Sequence, residues 1–445
     1  MFGTNGVRGV INETMTVDLV LKLGKAIGTT IGPGKIVVGR DARNGGEMFS
    51  KSVIAGLLST GCSIVNIGYV PTPTLQYVVP RMDASGGVVI TASHNPAEFN
   101  GIKVMGSNGI ETSRETETKI ESVFFSNNFT VSAWDNLASV TQDKTAIDQH
   151  IAGIKSHIDT KVIQKRHLVV VIDSANSVGG LVTPKLMRDL GCKVISLNSQ
   201  LDGSFPGRSP EPTPENVIEL RKTVKSVGAD LGIAHDGDAD RATFVDESGN
   251  IVSGDHSLSI IAKRILKKGS TLVTPISSGK LIEDTVEQAG AKIDWTVVGS
   301  VDVSHRVEEI NAELGGEENG GVFYPPLQSV RDGPMTSALI VEIMSKEGKK
   351  LSELISELPT YYTEKQKLKI PAEKMSSMKE KLLVFTKDEE RITIDGIKLF
   401  YDDGWILIRP SGTEPLYRIF AEGKTVDNAK KLAKIGVDLI ERALS

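Results

Sequence analysis

Three stretches of the chain repeat one local pattern, and that repetition constrains the fold more than any other feature. Residues 36–39 (IVVG) form a short apolar run that ends in Arg40-Asp41-Ala42-Arg43. Residues 168–172 (LVVVI) end in Asp173-Ser174-Ala175-Asn176, and residues 271–276 (TLVTPI) end in Ser277-Ser278-Gly279. Short β-branched runs between turn formers suit strands covered on both faces. A helix-like stretch follows each, at 46–60, 182–190 and 280–288, and then a glycine (Gly61, Gly191, Gly290) before another β-like run. Strand, helix, glycine cap, strand is the βαβ unit, and three copies predict three related mixed α/β domains.

The C-terminal stretch reads differently. Residues 391–394, 397–401 and 405–408 look like closely spaced strands joined by Asp395-Gly396 and Asp402-Asp403-Gly404, and Asp-Gly is a strong hairpin signal. An amphipathic helix over about 426–444 follows, so this end is a smaller α+β domain. A length of 445 residues allows two to four domains at ~100–200 residues each. The expected division is 1–147, 148–249, 250–362 and 363–445, with a linker at Leu358-Pro359-Thr360.

Composition removes several function classes. Lys and Arg number 51 against 56 Asp and Glu, a net charge of −5, which opposes a chain-wide attraction to nucleic acid. Only Cys62 and Cys192 occur, neither at zinc-ligand spacing, so a disulfide framework and a zinc ribbon are excluded. The first residues carry no basic and apolar leader pattern, and no apolar run approaches a membrane span. The expectation is a cytoplasmic protein without nucleic-acid or membrane partners, which leaves room for a homo-oligomer. Neither Gly34-Lys35 nor Gly279-Lys280 has the context of a phosphate-cradling P-loop.

Four loops carry chemistry. In Thr91-Ala92-Ser93-His94-Asn95-Pro96, after the apolar 88–90, a serine hydroxyl at a buried strand end suits a nucleophile or phosphate carrier; a plain Asn-Pro turn is the rival. His94 is a base or a loop brace, and Lys103 supplies a cation downstream. In Asp236-Gly237-Asp238-Ala239-Asp240-Arg241, carboxylates at i, i+2 and i+4 in extended backbone share a face and must bind a hard cation or repel. Mg²⁺ suits a few carboxylates plus a phosphate oxygen, whereas a calcium loop would require glycine where Arg241 stands. Gly315-Gly316-Glu317-Glu318-Asn319-Gly320-Gly321 combines close backbone approach with groups for hydroxyls, or is a surface turn. Arg409-Pro410-Ser411-Gly412-Thr413-Glu414-Pro415, with Arg418 beyond, has the composition of an anion nest.

In this order, one per domain, the four loops resemble those of the α-D-phosphohexomutase family, and the resemblance covers essentially the whole chain. The opening Phe2-Gly3-Thr4-Asn5-Gly6-Val7-Arg8-Gly9 looks like the signature of its phosphoglucosamine mutase branch, shared with archaeal phosphomannomutase/phosphoglucomutase-type proteins. The resemblance implies a phosphoryl group on Ser93 and Mg²⁺ held by that group with Asp236, Asp238 and Asp240. Arg8, Lys103 and Arg241 would stand near the transferring phosphoryl. Glu317 and Asn319 would meet sugar hydroxyls, and Arg409, Ser411, Gly412, Thr413 and Arg418 would hold the second phosphate. The implied reaction interconverts hexose 1- and 6-phosphates, with a hexose 1,6-bisphosphate as intermediate and activator. The third loop departs from the family: some members carry Ser and then Gly-His where this chain has Asn319 and Gly320-Gly321, and His305 is a candidate replacement. Two alternatives use the same residues, a sugar-bisphosphate synthase or Mg²⁺-dependent phosphatase, and a non-catalytic phosphosugar-binding protein.

Overall fold

A computed structural model of the chain describes residues 1–3, 5–371, 374–410 and 416–444. Three of its four sheets share one plan. In the first, Lys35–Arg40 lies centrally with Ser63–Tyr69 and Gly86–Ile90 parallel on either side, and Phe99–Gly106 pairs antiparallel with Gly86–Ile90. The second places Val169–Asp173 between Lys193–Leu197 and Leu231–His235, with Ala242–Val245 antiparallel. The third places Thr271–Pro275 between Lys292–Thr296 and Leu314–Gly316, with Val322–Tyr324 antiparallel.

The central strands are those expected from the three apolar runs. Their helices are Gly46–Ser59, Gly179–Asp189 and Lys280–Gln288, the second starting earlier than its apolar residues suggested. Gly61, Gly191 and Gly290 stand just past the helix ends with φ of 91°, 94° and 65°, values glycine adopts without a Cβ penalty. The consequence for function lies in the turns. Residues 91–98, 236–241 and 317–321 occupy the same topological place in all three sheets, between the last parallel strand and its antiparallel neighbour. That is the carboxyl end of a parallel block where strand order reverses, the usual location of a ligand crevice in open α/β sheets.

The C-terminal sheet is antiparallel, in the order Tyr362–Lys369, Leu416–Gly423, Gly404–Pro410, Ile397–Tyr401, Arg391–Ile392. Met375–Phe385 and Val426–Leu444 pack on one face. The hairpins read from Asp-Gly are present, but the first strand ends at Ile392 rather than at residue 394. Tyr362–Lys369 went unread because its sequence, YTEKQKLK, is that of a mostly exposed edge strand with little apolar signal.

Apolar burial ties the parts together unequally. One continuous core runs through the first three sheets' domains, from Val37 and Tyr77 through Leu186 and Ile233 to Leu258 and Met335. The C-terminal unit has its own core and meets the rest through the small cluster Ile276, Trp405 and Leu407. Polar contacts complete that junction: Lys398 reaches Ser278 O (2.9 Å) and Glu283 Oε1 (3.1 Å), and Asp395 accepts from Val298 N (3.0 Å). Among the described residues, no helix is long and apolar enough to cross a membrane.

Candidate functional site

Ser93 sits fully buried in a left-handed backbone conformation, φ 50°, which costs free energy in a non-glycine residue and persists only where the surroundings enforce it. Two buried groups enforce it. Thr91 Oγ1 accepts from Ser93 N (2.9 Å) while donating to Asp41 Oδ2 (2.5 Å). Arg43, paired with Asp41 at 3.2 Å, donates to the carbonyls of Ser93 (2.6 Å), Asn95 (2.5 Å), Pro96 (2.7 Å) and Phe99 (3.0 Å). Burial pushes the Asp41 carboxyl up to about 6. Along the sequence Asp41 and Arg43 mark only the end of a strand; a charged pair behind an apolar run carries no signal of what it braces.

The brace aims Ser93 Oγ at the acidic loop, where it donates to Asp236 Oδ2 at 2.8 Å. Gly237 makes this approach sterically feasible, since a Cβ there would lie 2.3 Å from Ser93 O. The carboxylates of Asp236, Asp238 and Asp240 are buried, with ligand oxygens all within 4.8 Å of one another. They converge by a different route from the extended backbone expected: the loop turns, with Ala239 at φ 56°. A tight turn between antiparallel strands brings the three side chains together where an extended segment would space them along one side.

The loop's charges are strongly coupled. Lys103 Nζ lies 2.7 Å from Asp238 Oδ2 and 3.4 Å from Asp240 Oδ2, and Thr72 Oγ1 donates to Asp238 Oδ2 (2.6 Å). Against the cost of burial, Lys103 and these hydrogen bonds hold Asp238 below the ordinary carboxylate range. Burial, then the charges of Asp240 and Asp238, hold Asp236 well above it. Asp238 Oδ1 and Asp240 Oδ1 are buried without a hydrogen-bond partner. Three hard oxygen donors, two of them orphaned, beside a serine hydroxyl form a donor set that fits Mg²⁺ completed by a phosphate oxygen.

Cations line the remaining sides. Arg8 Nη1 donates to Asn95 Oδ1 (2.6 Å) and Ala92 O (3.3 Å), so it grips the serine loop from the neighbouring strand Val7–Val10. Arg241 pairs with Glu211 Oε1 (3.0 Å) and stands 3.8 Å from Asp240 Oδ1. His94 Nδ1 lies 3.4 Å from Ser93 Oγ; burial, with Arg241 and Arg8 nearby, pushes its pKa down to about 3, so the ring is neutral at ordinary pH. Glu317 is buried and takes Arg331 Nη1 at 3.0 Å. Asn319 accepts from Gly321 N (3.1 Å), bracing its own loop.

The structure thus brings Ser93, His94, Arg8, Lys103, Arg241, Asp236, Asp238, Asp240 and Glu317 into one contact network. Arg409 pairs with Asp395 (3.0 Å) and stands directly across the sheet from Arg418. Ser411, Gly412 and Thr413 lie outside the described residues. His305 does not replace the missing third-loop histidine: its Nε2 donates to Glu111 O at 2.8 Å, bracing one domain against another. Thr72, Glu211 and Arg331 also belong to the network, and none stands in a motif visible along the sequence.

A buried serine hydroxyl beside a metal-competent carboxylate loop, a buried glutamate and a separate pair of arginines form a site suited to phosphoryl transfer on a polar substrate. Family models agree with that geometry. Those for phosphoglucomutase/phosphomannomutase α/β/α domains I, II and III match residues 1–131, 148–249 and 253–362, and that for the C-terminal domain matches 362–438. The chain belongs to the phosphoglucomutase/phosphomannomutase family, the α-D-phosphohexomutases. It is 44% identical to a phosphoglucomutase/phosphomannomutase of Thermococcus kodakarensis, over all of this chain and 99% of the relative. It is 46% identical to a phosphoglucosamine/phosphogalactosamine mutase of Sulfurisphaera tokodaii, over 97% of each. Among solved structures, a family protein from Burkholderia thailandensis superimposes with a TM-score of 0.88 at 28% identity, over 100% of this chain and 98% of that one.

Proposed function

We propose that this phosphohexomutase interconverts hexose 1- and 6-phosphates, with 2-amino-2-deoxyglucose phosphate as the first substrate to test and glucose and mannose phosphates as its rivals. The observation that carries the reading is the 2.8 Å contact of Ser93 Oγ with Asp236 Oδ2, inside a buried carboxylate cluster with orphaned oxygens. In the resting enzyme Ser93 carries the phosphoryl group. The Ser93 Oγ–P bond breaks as a new O–P bond forms at the free sugar hydroxyl, and that hydroxyl's proton ends on the freed Ser93 Oγ, with Arg8, Lys103 and Arg241 assisting the transfer beside the neutral His94. The resulting bisphosphate turns end for end, and the other phosphoryl group returns to Ser93.

Arg8, Lys103 and Arg241 offset charge on the moving phosphoryl, work that is largely positioning and electrostatics. Asp236, Asp238 and Asp240 would hold Mg²⁺, which when bound neutralises phosphoryl oxygens. Glu317 and Asn319 receive sugar hydroxyls, and Arg409 and Arg418, with Ser411, Gly412 and Thr413, receive the phosphate that is not moving. Under the same proposal the domains divide at 147/148, 249/250 and 362/363, the partner is a phosphosugar, a hexose 1,6-bisphosphate is the activator, and the setting is cytoplasmic.

The test is chemical. Intact-mass measurement before and after phosphatase treatment should show one removable phosphate mapping to Ser93; a Ser93 that cannot be phosphorylated by a hexose bisphosphate rules out the carrier role. Glucosamine, glucose and mannose 1-phosphates, compared at equal concentration with a trace of bisphosphate, rank the sugars. Release of inorganic phosphate without isomerisation would instead select the phosphatase.

A further inference from the structure

Arg331 ends the strand Gln328–Arg331 and reaches two loops at once. Its Nη2 donates to Asp240 Oδ2 at 2.5 Å and its Nη1 to Glu317 Oε2 at 3.0 Å. All three side chains are buried, at 6%, 2% and 4% exposure. One planar guanidinium therefore joins the carboxylate loop of the second domain to the sugar loop of the third, a span that a compact lysine charge cannot duplicate.

Its route depends on Gly321, where a Cβ would lie 2.3 Å from Arg331 Cδ. A histidine at that place in the loop would exclude the arginine from this path, so the two arrangements are alternatives. The adjacent residue is anchored firmly. Asp332 meets His150 Nε2 (2.8 Å), Gln328 Nε2 (2.8 Å) and Met335 N (2.9 Å), and His150 is held in turn by Thr74 Oγ1 (2.8 Å). The root of the Arg331 side chain is thus fixed by groups from all three α/β domains, and the loops adjust to the guanidinium.

We propose that Arg331 is a positioning residue that couples the carboxylate loop to the sugar loop by sharing its charge between Asp240 and Glu317. The inference rests on the metal and sugar roles given to these loops above. A divalent cation at the carboxylate loop competes with the guanidinium for Asp240, shifting Arg331 toward Glu317 and fixing the orientation in which Glu317 meets the sugar. Linkage requires the reverse as well: whatever draws Arg331 to Asp240 weakens the cation site.

The two ends of the bridge then predict opposite effects on metal binding measured without turnover. Calorimetric titration of the full chain with Mn²⁺ should show binding tighter by about tenfold or more in Arg331→Met, since one unit charge acting on a divalent ion from ~6 Å has that effect even at water-like dielectric. Glu317→Gln, which leaves the guanidinium to Asp240 alone, should bind Mn²⁺ more weakly than the unsubstituted chain. With metal saturating, Arg331→Met should raise KM for the sugar phosphate more than it lowers kcat. A merely structural arginine would weaken or leave unchanged the Mn²⁺ affinity when removed, and that result overturns the proposal. If Arg331→Met does not fold, Arg331→Gln takes its place: tighter Mn²⁺ binding supports the bridge, and unchanged or weaker binding refutes it. An unsubstituted chain that takes up no Mn²⁺ overturns the metal reading and the bridge with it, whereas uptake indifferent to both substitutions overturns the bridge only.

Discussion

Arg43 donates to four backbone carbonyls of the serine loop and is fully buried with Asp41. Its removal takes these donors from the loop and the countercharge from Asp41, which keeps only its hydrogen bonds from Thr91 Oγ1 and Arg43 N in a dry interior where an unpaired charge is expensive. Arg43→Met should therefore lower stability by about 3–5 kcal/mol in denaturant unfolding, with activity lost even where the chain remains folded. A variant with unchanged midpoint and turnover would show that the brace is dispensable. Ser93→Ala should differ in kind: turnover falls by orders of magnitude while unfolding is little altered, because the hydroxyl's chemical role is lost and its packing is small. His94, with its pKa pushed down to about 3, should contribute no titration to the rate near its ordinary 6.5. A rate profile with an inflection at that pH in the native chain, absent in His94→Gln, would contradict the neutral assignment.

At the scale of elements, the recurring device is the turn between the last parallel strand and an antiparallel neighbour. The serine and carboxylate turns press together so closely that Gly237 has no room for a side chain. Gly237→Ala should separate them, costing about 1–3 kcal/mol as overpacking usually does, with a much larger loss of activity because the 2.8 Å Ser93–Asp236 contact opens. Unchanged activity at full Mg²⁺ would mean that the two turns need not touch. The existence of these turns was legible from the apolar runs and turn formers on either side of them. Their conformation was not: alternating Asp residues fit an extended strand equally well until the antiparallel pairing of Leu231–His235 with Ala242–Val245 imposes a reversal.

For the whole molecule, the unequal cores set the mechanics. One apolar core runs through three domains, while the C-terminal unit docks through a small apolar cluster and polar contacts, so the apolar burial that resists relative motion is least at that junction. Asp255 lies at this junction, and burial with the charges of Glu318 and Glu422 pushes its carboxyl up to about 8 from an ordinary 3.8. Below the lower value folded and unfolded chains both carry the proton. Between the two values only the folded chain does, so the stability this group contributes falls as pH rises through that window. The melting temperature of the native chain should therefore decline from about pH 5 to 8 more steeply than that of Asp255→Asn. Parallel declines in thermal scans would show that Asp255 titrates no differently on folding.

What the sequence by itself determined were the features written in local order: three βαβ repeats, a hairpin-rich end, and the loops that carry Ser93, the three aspartates and Glu317. Strand runs, glycine caps and Asp-Gly turns act over a few residues, and the Ser93, Asp236–Asp238–Asp240 and Glu317 positions lie inside such local punctuation. Only the tertiary structure decided which distant groups complete the site. Arg43 reaches the serine loop across fifty residues of chain, Thr72 meets Asp238, and Arg331 bridges Asp240 and Glu317. Nothing in the neighbourhood of these residues along the chain distinguishes them, because a buried polar group takes its meaning from a partner far along the chain that only packing supplies.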